Sequence, residues 1–319
     1  MVAEAIVTGV FFFFVDGLGL GSDDPAKNPL VSAHLPTLTA LCGGRRLTQA
    51  ELGQGRLVEP EEGACVAVLD PAMGVAGLPQ SATGQTALFT GLNAPAIMGH
   101  HVNGYPTPTL RRVLLSDSIF KRVATEGGRV TFLNPFRPPS WERLRAEEPP
   151  ADVSASTLAF FAARQPFRSL ADLAAGQAVA LDTTGRVLRE RGFDITPVSA
   201  WEAGGIAARV ASQYDLTLYE SFVTDLAGHA QHERLARDIL ETIDRFVAAF
   251  VVAASDTLLV LTSDHGNVED LSVKTHTKNP VPALVYGPGQ AAAASGWHDL
   301  ADVARGVLRY LGIGGTNTG

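Results

Sequence analysis

Cysteine is almost missing from this chain: Cys42 and Cys65 are the only two in 319 residues, with no CxxC spacing between them. That scarcity excludes a disulfide framework and a cysteine-built zinc knuckle, and it suits a reducing cytoplasm. Charge is sparse as well, at 18% of residues, and 25 Lys and Arg against 33 Asp and Glu leave a net −8. Such a balance does not replace the counterions of a polyanion, which excludes nucleic acid as a general partner. Nor is there a run long enough to cross a bilayer. The apolar stretch over 5–15 is bounded by Glu4 and Asp16, and it lacks the basic start of an export leader. Internal repeats are absent too.

What the chain has is apolar residue, at 46%, enough for a sizeable core in one large α/β unit or in a core with a smaller insert. Residues 6–15, with four consecutive phenylalanines, read as a strand buried on both faces. Apolar runs at 64–69, 130–133, 216–223, 257–262 and 282–286 read as further strands. Helical patterns lie between them: a short one carrying Leu35, Leu38 and Leu41, one from Ser81 towards Gly91, a long amphipathic one over 232–254 and a closing one over 299–311. This succession predicts a three-layer α/β/α core with a largely parallel sheet. After Gly99 the composition changes, with Pro106, Pro108, Pro135, Pro138, Pro139, Pro149 and Pro150. Residues 98–212 are therefore read as a small inserted cap domain, 1–97 and 213–319 as the core, and 312–319 as a glycine-rich tail.

Asp16, Asp225 and Asp264 each follow a predicted buried strand, and the rim at the carboxyl ends of strands is where open α/β sheets bind ligands. One such aspartate alone reads as a turn former or a helix cap; three together do not. Histidines accompany them: His229 four residues after Asp225, His265 beside Asp264, and His276 in the Lys274–Pro280 stretch. Carboxylate mixed with imidazole is the ligand set of Zn²⁺ or Mn²⁺, whereas Mg²⁺ and Ca²⁺ sites usually lack imidazole. Neighbours such as Asp264 and His265 point apart on a regular strand, so their convergence needs the irregular turn that Gly266 permits. Gathering these carboxylates without cations carries a large cost in desolvation and repulsion.

Val15-Asp16-Gly17, Asp225-x-x-x-His229, Asp264-His265-Gly266-Asn267 and His276-Thr277-Lys278-Asn279-Pro280-Val281-Pro282 follow one another in the order of the phosphoglycerate mutase-like metalloenzymes. Over about 1–99 and 214–312 the chain resembles the alkaline phosphatase superfamily, in particular its cofactor-independent phosphoglycerate mutase and phosphopentomutase branch. The resemblance implies an alkaline-phosphatase-like core and two divalent ions. Asp225, His229 and His276 would hold one, and Asp16, Asp264, His265 and the Ser81 hydroxyl the other. Gln80-Ser81-Ala82-Thr83-Gly84-Gln85 looks like the nucleophile loop of that branch, with Ser81 at the position that is phosphorylated. Gln80 and Gln85 depart from it, standing where the better-known mutases often carry Asn or Asp and His.

The implied activity is phosphoryl transfer on a small phosphorylated metabolite, with no nucleic acid and no membrane involved. A serine coordinated to a divalent cation needs no separate base, and a helix starting at Ser81 would add N–H dipoles for the phosphate. The plainer reading of Ser81 is a helix N-cap, with Thr83 a rival nucleophile. His100, His101 and the arginines at 111, 112, 122, 129 and 137 read as hinge and surface residues or as substrate grips. Competing outcomes are a phosphatase or phosphodiesterase on the same two metals and a non-catalytic metal-binding relative, against which the complete ligand set argues. A sulfatase would carry Cys/Ser-x-Pro-x-Arg, which Ser81 does not introduce. A nicotinamide enzyme would place a small residue and a helix where Ser22-Asp23-Asp24-Pro25 stands.

Overall fold

The computed structural model describes residues 9–53, 57–58, 63–138 and 140–313. Residues 6–8 of the expected first strand and 314–319 of the expected tail lie outside the described residues. Strand β1, Val10–Val15, is buried along its whole length. Because successive strand side chains face opposite ways, Val10, Phe12 and Phe14 enter one hydrophobic cluster and Phe11, Phe13 and Val15 the other. On one face Phe12 and Phe14 meet Phe89 at ring distances of 5.5 and 5.9 Å. Phe89 belongs to the helix Ser81–Thr90. On the opposite face Phe11 stacks on Phe250 at 4.2 Å and Phe13 meets Phe246 edge-on at 5.3 Å, both rings coming from the helix Glu233–Ala253. One four-phenylalanine run thus anchors both helical layers.

The remaining strands are β2, Leu57–Val58; β3, Cys65–Leu69; β4, Val130–Phe132; β5, Pro135–Phe136; β6, Arg168–Ser169; β7, Leu216–Ser221; β8, Leu258–Thr262; and β9, Val281–Tyr286. Seven form one sheet in the order β2-β3-β9-β8-β1-β7-β4, and β5 with β6 forms a separate ribbon. At the centre β1 lies parallel between β7 and β8, with Val10 opposite both Leu216 and Leu258. β4 continues the parallel set beyond β7, whereas β9 runs antiparallel between β8 and β3. The carboxyl ends of β1, β7 and β8 consequently open onto one rim.

Parts of 98–212, the stretch read as an inserted cap, pack directly on the main sheet. β4 pairs with β7 as an edge of the main sheet. Leu110, Phe120, Phe132 and Phe160 share a cluster with Phe12, Phe14 and Phe89, and Ala203 and Ala207 of the helix Ala200–Ala211 join the cluster of Phe11 and Phe246. These apolar faces are buried against the sheet layers. No helix among the described residues is long and apolar enough to cross a membrane.

Phe13→Ala removes a fully buried ring from this centre. It is expected to cost about 3–5 kcal/mol in urea unfolding. Val252→Ala, at a position 73% exposed, is expected to stay within about 0.5 kcal/mol of the parent.

Candidate metal centre

Each strand of the parallel centre hands a chemically active residue to the rim. After β1, the Asp16 N–H donates to Ser221 O at 3.0 Å, and Gly17 then turns the chain with φ +70. A Cβ at Gly17 would lie 2.8 Å from Asp225 Oδ1, so glycine is what lets the β1 loop approach that carboxylate. After β8, the buried Ser263 hydroxyl accepts from Leu18 N at 2.8 Å and donates to His265 O at 2.9 Å. That clamp bends the backbone between Asp264 and Asn267.

The strand expected over 216–223 stops at Ser221, because a helix, Val223–His229, begins at once. Asp225 and His229 are therefore one helical turn apart on a common face. Asp225 stands in the first turn, where the helix dipole favours negative charge. The Thr224 hydroxyl donates to Asp16 O at 2.5 Å and ties this helix to the end of β1. His229 Nδ1 lies 2.6 Å from Lys274 O, and His276 Nδ1 lies 3.0 Å from Pro79 O. A carbonyl only accepts, so each Nδ1 carries the proton and each Nε2 is left as a donor of electrons. Those Nε2 atoms sit 3.3 Å (His229) and 3.7 Å (His276) from the Asp225 carboxylate.

Two groups result. Asp225, His229 and His276 bring one oxygen or nitrogen each within 4.8 Å of one another, and Asp16, Asp264 and His265 do the same. In the second group His265 Nε2 is 3.3 Å from Asp16 Oδ1, 3.6 Å from Asp264 Oδ2 and 3.0 Å from Ser81 Oγ. The His265 and His276 rings stack at 3.6 Å and join the groups. All seven residues named from the sequence thus meet at one place.

Buried polar atoms here lack partners: Asp16 Oδ1, Asp264 Oδ1 and His265 Nδ1 have no hydrogen bond. Burial, followed by the charges of Asp264 and Asp225, holds the Asp16 carboxyl well above its usual range, and burial followed by Asp225 raises Asp264. Burial, followed by His276, pulls His265 down to about 3, so its imidazole is neutral and does not balance the acids. Orphaned carboxylate oxygens beside the neutral His265 imidazole are what a divalent cation would complete. The mixture of carboxylate, imidazole and hydroxyl suits Zn²⁺ or Mn²⁺.

Ser81 is not the N-cap. Gln80 occupies that position, and the Ser81 hydroxyl turns to His265 instead. The N–H groups of Ala82 and Thr83 both reach Val102 O, at 3.1 and 3.4 Å, so the expected helix-start donors are already engaged. Thr83 Oγ1 is held by Gln80 O and Val102 N. His101 bonds Val75 O, Arg111 bonds the carbonyls of Pro149 and Pro150, and Arg129 pairs with Asp215; none of them joins the two groups.

Several supporting residues were given no role from the sequence, where Gln85 stood only as a departure from the nucleophile loop. Gln85, one helical turn beyond Ser81, donates to Asp264 Oδ2 at 3.2 Å, and its i+4 spacing was the available signal. Asn267 donates to Asp225 Oδ1, and buried Glu269 accepts from Gly19 N, Asn267 N, Thr277 Oγ1 and Asn279 Nδ2. Glu220, on β7, is clamped by Asn134 through its backbone, its Oε2 is orphaned, and burial pushes its carboxyl up to about 8.

The model of the metalloenzyme superfamily matches residues 198–314, the stretch that supplies Asp225, His229, Asp264, His265 and His276. This segment is similar to the metalloenzyme superfamily. The superfamily segment does not include Asp16 or Ser81, which the fold brings to it. Over 132 residues the chain is 34% identical to a 2,3-bisphosphoglycerate-independent phosphoglycerate mutase of Syntrophotalea carbinolica, covering 38% of this chain and 26% of that protein. A phosphopentomutase of Edwardsiella ictaluri is 30% identical over 123 residues, 38% of this chain and 28% of that one. The chain thus spans about a quarter of the length of the curated relatives it matches. Among solved structures, the PH0037 protein from Pyrococcus horikoshii superposes with a TM-score of 0.57 at 13% identity, covering 98% of this chain and 99% of that one. An alkaline phosphatase from the Antarctic bacterium TAB5 gives 0.52 at 14% identity over 96% and 98%. The fold is therefore the alkaline-phosphatase-like α/β architecture expected from the sequence.

Asp264→Asn is expected to raise the melting temperature of metal-free protein, since it removes a repelled carboxylate, and to lose most of the stabilisation that Mn²⁺ or Zn²⁺ gives the parent. That stabilisation is about 2.7 kcal/mol at a hundred times Kd. A second expectation concerns Glu220, whose folded pKa of about 8 exceeds its ordinary 4.5. The folded state keeps this proton, so the contribution is complete below about 4.5 and is lost as pH rises through about 8. Glu220→Gln should therefore gain stability relative to the parent between pH 5 and pH 9, by about 1 kcal/mol or more, in denaturant titrations at the two pH values.

Proposed function

We propose that the chain is a two-metal enzyme that transfers a phosphoryl group of a small phosphorylated metabolite through Ser81, with a phosphomutase-like outcome. The observation that carries this reading is the Ser81 hydroxyl, turned away from the capping role and held 3.0 Å from His265 Nε2 within the Asp16–Asp264–His265 group. Asp225, His229 and His276 would hold one ion, and Asp16, Asp264, His265 and Ser81 Oγ the other, with Mn²⁺ or Zn²⁺ favoured over Mg²⁺. Such ions, when bound, make a coordinated hydroxyl more acidic and neutralise phosphoryl oxygens.

The chain's own residues supply position. Gln85 fixes Asp264, Asn267 fixes Asp225, and Pro79 O and Lys274 O fix the tautomers of His276 and His229. Gly84 lets the Ser81 helix lie against Asp264, where a Cβ would come within 2.8 Å of its carbonyl oxygen. In the proposed step the Ser81 oxygen forms a bond to phosphorus while the ester P–O bond breaks, and the serine proton ends on the departing alcohol. Return of the phosphoryl group to another hydroxyl of the same molecule completes a mutase cycle; capture by water completes a phosphatase cycle. The mutase names of the curated relatives support the first. The second is favoured by the open rim, where the His229 side chain is 43% exposed. We place the activity in the cytoplasm, a setting in keeping with a chain of only two cysteines.

The test is phosphorus NMR of protein supplied with Mn²⁺ or Zn²⁺ and a panel of phosphopentoses and phosphoglycerates. Isomer formation is expected, with Ser81→Ala slower by about a hundredfold or more, roughly 2.7 kcal/mol of barrier. Ser81-dependent phosphate release without isomers would select the phosphatase. Turnover unaffected by Ser81→Ala would remove the serine from the reaction.

A further inference from the structure

The stretch from His276 to Pro280 crosses the rim with its side chains sorted onto two sides. Thr277 N donates to Gly266 O at 2.9 Å, and Asn279 precedes Pro280, a position that favours extended backbone. Neighbours in extended chain point opposite ways. The contacts follow that alternation. The Thr277 hydroxyl and the Asn279 amide both donate to Glu269 Oε1, and Asn279 Oδ1 accepts from Gln49 Nε2 at 2.8 Å. His276 takes the other side, with Nε2 3.7 Å from Asp225 and its ring stacked on His265 at 3.6 Å. Its Nδ1, 3.0 Å from Pro79 O, ties it to the segment that leads into Ser81. Lys278 stands between Thr277 and Asn279 and therefore shares the side of His276.

Lys278 is exposed, and among the described residues its ammonium has neither a hydrogen bond nor an ion pair. The site aspartates do not draw it in, since the ion-pair contacts of Asp16, Asp225 and Asp264 are all to histidines. Its backbone, in contrast, is held on both sides by the bonds of Thr277 and Asn279 to Glu269. Two residues of extended chain span about 6.6 Å, a distance that the flexible four-carbon stem of lysine covers. The ammonium can thus reach the space in front of His276, where a group held by the metals and Ser81 would lie. Lys274, the other lysine of this loop, lies at the bend over 274–275, and the alternation does not extend to it.

We propose that Lys278 is a substrate-binding residue, its ammonium donating to a non-bridging oxygen of the phosphoryl group that Ser81 receives. The inference rests on the phosphoryl-transfer reading and adds to it a side chain that meets the anion with a positive charge. The need for one is local. The amides of Ala82 and Thr83, which would ordinarily face an anion at the start of the Ser81 helix, are given to Val102 O. An ammonium offers three donors that rotate to suit a phosphoryl oxygen, and a hydrogen bond between ionised partners is stronger than a neutral one.

Calorimetric titration of inorganic phosphate into zinc-loaded full-length protein tests this without turnover. The parent is expected to bind phosphate, Lys278→Met to bind it about tenfold or more weakly, and Lys278→Arg to recover most of the affinity. Arg129→Met removes the same charge at the opposite end of the sheet, beside the pair of Val130 with Leu216, and is expected to bind as the parent does. Zinc content and melting temperature of Lys278→Met should match the parent, because the bonds of Thr277 and Asn279 to Glu269 remain. Unchanged affinity in Lys278→Met would make this lysine a solvated surface charge and overturn the proposal while the phosphoryl-transfer reading stands. An equal loss in Arg129→Met, or a weakening matched by loss of zinc, would overturn it in the same way. A zinc-loaded parent that binds no phosphate would overturn both.

Discussion

Mutual repulsion of Asp16, Asp225 and Asp264 is the constraint around which this protein is arranged. Two unit charges 4 Å apart interact by about 4 kcal/mol at an effective dielectric of 20, before any loss of hydration is counted. A parallel sheet centre of β7, β1 and β8 nevertheless delivers all three to one rim, and burial then raises Asp16 and Asp264. The local devices oppose the tendency of these groups to move apart. Thr224 ties the Asp225 helix to the Asp16 carbonyl, Ser263 clamps the backbone around His265, and Gly17 and Gly84 remove the Cβ atoms that would hold neighbouring elements away.

Glu269 shows that this chain can satisfy a buried carboxylate when the role is structural. It collects two backbone N–H groups, a hydroxyl and a side-chain amide, and in doing so joins the loops at Gly19, Asn267 and Thr277–Asn279. Asp16 and Asp264 are equally enclosed, yet each keeps an oxygen without a donor. The contrast lies within a few residues of the same chain and in the same loops. It separates a carboxylate that serves as a fastening from carboxylates that a cation would complete.

The rim aspartates were legible in the sequence because each follows an apolar run that only a buried strand explains, and the alternation within Phe11–Phe14 set both helical layers. What escaped was governed by contacts distant in sequence. Asp225-x-x-x-His229 reads as the end of a strand until the chain is seen to enter a helix directly after Ser221, and apolar residues alone do not mark that change of period. Proline clusters between 98 and 212 suggested a separate cap. Proline reports where helices and turns begin, and it does not encode that Phe120, Phe132 and Phe160 share a cluster with Phe12, Phe14 and Phe89. Antiparallel β9 was read as a strand, but its direction depends on its pairing with β8 and β3, which no local pattern encodes.

The surroundings of Ser81 carry the dependence on cations one step further. A phosphoryl group brought to this hydroxyl is dianionic, and an anion at a helix start is ordinarily met by free backbone amides. Here Ala82 and Thr83 give theirs to Val102 O, a neutral His265 approaches from the other side, and the ion-pair contacts of Asp16, Asp225 and Asp264 are all to histidines. None of these contacts offsets the charge of the group that would be transferred. The carboxylates that repel one another in isolation are therefore the residues able to recruit that positive charge. Under the proposed function the same ions would relieve the repulsion and make the serine hydroxyl more acidic, so that the stability of the site and its reactivity would rest on one set of bonds.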